Sequence, residues 1–121
     1  MPMCSTAIPS NTAGWSVVAD ATGVGTGGSV ACDTGSGYTC TSRYGAVKVI
    51  VGTSPRGFGG LFTLTLGTTQ AYPTVCVYNA VIYGSASNAN SVFQGGSTTT
   101  TSIAWMAINA STNYDVFYVC P

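Results

Sequence analysis

The chain has 121 residues, of which 5% are charged, three basic and three acidic, with no histidine. That length suits a single domain. Three scattered cations, Arg43, Lys48 and Arg56, cannot release the many phosphate counterions that nucleic-acid affinity requires. No apolar run is long enough for a membrane-spanning helix, so neither nucleic acid nor membrane is expected as a partner.

The opening residues MPMCSTAIPS have neither the basic start nor the apolar core of a signal peptide. Residues 1–14 are polar and proline-punctuated and read as an N-terminal arm or flexible segment, with the folded domain over 15–121. A first strand is predicted around Trp15–Ala19, in GWSVVA.

The stretch TGVGTGGSVACDTGSGYTC, Thr22 to Cys40, follows. Gly23, Gly25 and Gly28 satisfy G-x-G-x-x-G, but a dinucleotide loop must open a helix and find an acidic residue about twenty positions on. GSVACDTGSG is a poor helix and Asp33 comes too soon, so the stretch reads as glycine turns feeding a strand at GSVAC. AVKVIV, Ala46 to Val51, then places Val47, Val49 and Val51 on one strand face. LFTLTL gives the cleanest alternation, with Phe62, Leu64 and Leu66 inward and Thr63 and Thr65 outward.

TVCVYNAVIY, Thr74 to Tyr83, is apolar on both faces, which predicts a central sandwich strand or one whose second face meets a neighbouring subunit. SVF, TSIAWMAI and YDVFYVC supply the last strands. Breakers at SPRGFGG, YGSASNANS, QGG and INASTN separate them. The spacing predicts an all-β fold: an antiparallel β-sandwich, jelly-roll-like or Greek-key, of about seven or eight short strands.

Few side chains offer chemistry. Asp20, Asp33 and Asp115 are the only side-chain carboxyls, and without histidine a serine or cysteine nucleophile would need an acceptor such as Lys48. Asp20 and Asp33 form a conceivable glycosidase pair, but both sit among turn residues where aspartate caps backbone amides. Asp33 within DTGSG offers too few carboxylates for calcium and reads as a turn. The NAS at Asn109–Ser111 matches a glycosylation acceptor and reads as loop chemistry. No catalytic, cofactor-binding or metal-binding residue is assigned, and no enzymatic activity or cofactor is expected.

Five cysteines, Cys4, Cys32, Cys40, Cys76 and Cys120, leave one over if the rest pair. The loop between Cys32 and Cys40 permits a local disulfide, but the preferred reading is two inert buried or half-buried thiols; Cys76 and Cys120 lie in strand-like apolar runs. Seven tyrosines and two tryptophans serve core, cross-strand or interface packing, with Tyr38 and Tyr44 as candidates for stacking on a sugar.

Three stretches, TGVGTGGSVACDTGSG, VIVGTSPRGFGGLFTLTLGTTQAYPTVCVYNAV and TTTTSIAWMAINASTNYDVFYV, together resemble a small β-sandwich domain found in tailed-bacteriophage virion proteins. The resemblance runs from about Gly23 to Val119. It rests on the glycine turn at Gly23–Gly28, the Gly57–Gly60 connection before LFTLTL, the Tyr72-Pro73 pair, Asn79, the threonine run Thr98–Thr101 and the strand from Tyr114 to Tyr118. The cysteines and SPRGF depart from it. The resemblance implies a symmetric oligomer, commonly a trimer, on the outer surface of a capsid. Its role would be that of a decoration or cement protein bridging major capsid protein subunits, or alternatively a head- or tail-fibre domain holding host surface glycan.

Overall fold

The computed structural model describes residues 13–56, 58–83, 92–108 and 112–120, with the side chains of Phe58 and Ala107 left aside. Of the predicted arm only residues 13 and 14 are described, and Cys4 and the NAS sequence at 109–111 lie outside the described residues.

The described residues form eight strands: β1 (Ser16–Ala19), β2 (Ser29–Cys32), β3 (Tyr44–Ile50), β4 (Phe58–Thr65), β5 (Val77–Ile82), β6 (Val92–Ser97), β7 (Thr101–Ala107) and β8 (Tyr114–Val119). A single helical turn, α1 (Ala21–Val24), follows β1, and a 3-10 turn at Thr34–Ser36 follows β2. The strands pair antiparallel in two four-stranded sheets, β1-β4-β7-β6 and β2-β3-β8-β5. The expected antiparallel sandwich is therefore present. Only β2–β3 and β6–β7 are consecutive neighbours in a sheet; every other connection passes between sheets.

The core forms where the alternation requires it. Val47 and Val49 of β3 and Phe62 and Leu64 of β4 are fully enclosed, as is Leu66 just beyond β4. From β8, Tyr114, Val116 and Tyr118 point inward, and Ala104 and Met106 do so from β7. One departure from strict alternation is buried Leu61, next to buried Phe62. The β4–β7 register slips between Gly60 and Phe62, so Leu61 is the extra residue of a bulge and both neighbours reach the interior. A second slip at Gln94/Gly96 faces the same part of β7. There Gly95 lies directly beneath the Trp105 ring, where a Cβ would collide with the indole.

TVCVYNAVIY is not a central strand. Among the described residues β5 lies at the edge of its sheet, paired with β8 alone. Thr74, Cys76, Tyr78 and Ala80 face inward, while Val75 and Val77 stand outward in the open. Being apolar on both faces thus marks an edge strand with a bare outer side. Edge or centre depends on which strand docks next, which hydropathy does not encode.

The threonine run is a hairpin tip. Thr98 Oγ1 accepts from the amides of Thr100 and Thr101, and the carbonyls of Thr98, Thr99 and Thr100 accept from Thr74, Gln70 and Leu66. It thereby fixes the crossover from β4 to β5.

Four of the five cysteines are bonded. Cys32–Cys40 closes the loop after β2, so the reading of two inert thiols there is overturned. Cys76–Cys120 joins β5 to β8. Because Val77 pairs with Val119, Cys76 and Cys120 are the next cross-strand pair, with Cα atoms 4.2 Å apart. Both face inward, so register and facing leave the two sulfurs side by side.

Candidate functional site

The glycine-rich stretch resolves into turns. Asp20 caps α1, its Oδ1 accepting from the amides of Thr22 at 3.0 Å and Gly23 at 3.1 Å. Gly25 then turns the chain with φ +86°, and a Cβ there would strike the Thr53 carbonyl, with which the Thr26 amide pairs at 2.9 Å. The chain enters β2 rather than a helix of useful length, as the turn reading expects. The other oxygen of Asp20 meets Arg56 Nη2 at 2.8 Å. Desolvation nudges the Asp20 carboxyl upward, but the Gly23 amide, Arg56 and the Thr22 amide outweigh it and hold the group below its ordinary value. Both partners are about two-fifths exposed, so the pair adds little stability.

Asp20 and Asp33 are not brought together as a carboxylate pair. Asp33 joins Asp115 instead, and this pairing was not legible in the sequence. Asp33 also does not cap its own turn: its side chain makes no bond to the Thr34–Ser36 amides. It extends the β2 pairing, its amide donating to Ala46, and so stands on the outer face of the β2-β3-β8-β5 sheet. Asp115 stands on that face too, as the cross-strand partner of Lys48. The disulfide-closed loop covers both, leaving Asp33 2% and Asp115 7% exposed. The carboxyl groups are in hydrogen-bond contact, and Asp33 Oδ2 and Asp115 Oδ1 have no N–H or hydroxyl donor. Burial first, then the Asp33 contact and charge, raise Asp115 to about 7, against the opposing pull of Lys48. The Lys48 ammonium itself lies 4.1 Å above the Tyr83 ring centre.

A second polar cluster joins the two sheets. Tyr78 Oη and Ser102 Oγ are 2.6 Å apart, Ser102 Oγ donates to Gln94 Oε1 at 2.8 Å, and Gln94 Oε1 also accepts from the Cys76 amide at 2.8 Å. Burial pushes the Tyr78 phenol up to about 12 despite the Ser102 bond. With Ser102 wholly enclosed and its bonds satisfied, this cluster is a clasp between β5, β6 and β7 rather than a nucleophilic site. Ser102→Ala removes the shared hydroxyl and is expected to cost about 1–3 kcal/mol, measured as a lower urea midpoint with an unchanged slope.

The outer face of the β2-β3-β8-β5 sheet is divided. Around Asp33, Ala46, Asp115 and Phe117 the loop closes it, with Tyr38 packed edge-to-face on Phe117 at 5.2 Å. Over β5 and the Val119 end of β8 it is bare. Tyr44, Val119 and Val77 stand in one cross-strand row, exposed by 53%, 57% and 66%. Val75, at 62%, continues the line along the β5 segment. Beside it a cleft of about 310 Å³ is lined by Gln70–Val75, and Tyr72 is 80% exposed. Tyr38 and Tyr44 are thus both partly open, but Tyr38 is committed to Phe117.

Among the described residues, no three His, Cys, Asp or Glu side chains gather as a metal-binding group, and no helix is long and apolar enough to cross a membrane. Comparison with protein-family models, with curated proteins and with solved structures finds no match.

Proposed function

We propose that this chain is a non-enzymatic structural protein of a bacteriophage virion, a capsid decoration protein that bridges neighbouring capsid subunits and associates with copies of itself as a homotrimer. The observation that carries this reading is the bare row Tyr44–Val119–Val77 with Val75 beside it. At roughly 100 Å² of exposed surface per side chain these four supply about 400 Å². A standard interface buries about 800 Å² per partner, a little over half of it apolar. The row therefore comes close to the apolar part of one such contact. The resemblance over Gly23–Val119 supplies the virion context, and the near absence of charge on the chain removes long-range repulsion between copies.

Particles from which the protein has been removed are expected to rupture at lower temperature than complete ones, and labelled protein is expected over the whole head. Val77→Asp places a charge in the proposed contact without entering the core. It is expected to weaken attachment at least tenfold while leaving the fold intact by circular dichroism. Equal rupture temperatures, or full attachment of Val77→Asp, count against the reading. The exposed rings of Tyr72 and Tyr44 favour a second reading, a fibre domain holding host surface glycan, which instead predicts glycan binding by the isolated protein and label confined to fibre ends.

A further inference from the structure

We propose that the loop between Cys32 and Cys40 is clasped to β8 by a single proton shared between Asp33 and Asp115, so that removing this proton loosens the loop and uncovers Phe117. The geometry requires a donor. Both carboxyl groups are more than nine-tenths buried, each has an oxygen that no N–H or hydroxyl reaches, and they touch one another. Two carboxylates in such a place would repel across a poorly solvated gap. One proton between them turns the contact into an O–H···O bond and satisfies both.

Among the described residues, the charged and titratable groups around the pair are these. From β3 comes Lys48, whose ammonium is engaged by the Tyr83 ring following β5. From the loop comes Tyr38, packed on Phe117 of β8. Arg43, after the loop, meets the far end of β8, where its carbonyl accepts from the Cys120 amide. Asp20 and Arg56 pair with each other beside α1. Among the described residues Lys48 is thus the cation acting on the pair, and one positive charge does not offset two negative ones.

The loop is built to respond locally. The Asp33 carbonyl accepts from the Ser36 and Tyr38 amides, both at 3.3 Å, so displacing Asp33 loosens the turn that presents Tyr38. The disulfide keeps the two ends of the loop together, which confines the opening to the segment between them.

The pH dependence has a definite sign. In the folded chain Asp115 keeps its proton up to about pH 7, whereas an unfolded aspartate loses it near pH 4. Between these values the native state binds more protons than the unfolded state, so stability falls as pH rises through the window and is level above it. Without histidine or glutamate, the chain has no other side chain whose ordinary value lies in that window.

The three aspartates make the test direct. In the full oxidised chain labelled with ¹³C at the aspartate carboxyls, a resonance is expected to titrate near neutral pH, and to lose that titration in both Asp115→Asn and Asp33→Asn. Hydrogen-exchange protection of the Ser36 and Tyr38 amides, corrected for intrinsic rates, is expected to fall at least tenfold between pH 5.5 and 8.5 in the wild type. In Asp115→Asn, whose amide supplies a permanent donor to Asp33, it is expected to stay constant. All carboxyls titrating below pH 5, or loop protection unchanged across neutrality, overturns the proposal. If the variants do not fold, the wild-type titration and exchange decide it alone.

Discussion

Removing the Cys76–Cys120 bridge is expected to cost about 4 kcal/mol, the loop-closure value for its sequence separation of 44. Cys32–Cys40 closes a loop with a separation of only 8 and is expected to contribute about 2.5 kcal/mol on the same basis. The difference has a structural counterpart. Cys76–Cys120 lies inside the sandwich at the end of the β5–β8 ladder, whereas Cys32–Cys40 ties a loop over the outer face. Urea unfolding of Cys76→Ala/Cys120→Ala beside Cys32→Ala/Cys40→Ala reads the ranking, and equal midpoints would contradict it. Mass measurement tests the bonds themselves. Reduction is expected to add about 4 Da, two hydrogens per bridge, and the unfolded, unreduced chain is expected to expose one reactive thiol, because four of five cysteines are paired. An unchanged mass would remove both bridges.

Phe62→Ala is expected to destabilise the fold by about 3–5 kcal/mol, a large share of the roughly 5–15 kcal/mol by which such domains are stable. Phe62 is 1% exposed and projects from β4 across the sandwich to meet Tyr78 of β5 edge-to-face, ring centres 6.1 Å apart. Truncation removes the ring from the only described aromatic contact between those two strands and opens a cavity that two bonded sheets cannot easily collapse to fill. Thr63→Ala, on the opposite face of the same strand, is the control and is expected to change stability by less than about 0.5 kcal/mol. A cost below 1 kcal/mol for Phe62→Ala would mean that this face of β4 is not the centre of the core.

Much of the fold was legible where one physical signal governs it. LFTLTL and AVKVIV alternate because one sheet face must be dry, and the buried set Phe62, Leu64, Leu66, Val47 and Val49 follows from that alternation. The glycines from Gly23 to Gly28 were readable as turns because positive φ is a local property, whereas QGG, read as a breaker, lies inside β6, and the hydroxyl-to-amide bonds that make a turn of the threonine run were not anticipated. Leu61 escaped prediction because a bulge depends on the partner strand's register. The central placement offered for β5 failed because composition reports how apolar a strand is and not how many strands flank it, while the other placement, a second face against a neighbouring subunit, is the one the proposed function takes up. For the carboxylates, the sequence offered Asp20 with Asp33 only as a conceivable pair and read both as turn caps, whereas the sheet brought together Asp33 and Asp115 from the end of β2 and the start of β8.

By itself the sequence determined a sparsely charged β-sandwich with turns through Gly23–Gly28, because strand alternation and turn chemistry are properties of neighbouring residues. The tertiary structure alone decided the sheet order, both disulfide partners, the buried aspartate pair and the bare corner at Val77. Each of these joins residues distant in sequence, and antiparallel register, which places them opposite one another, exists only after the strands have chosen their neighbours.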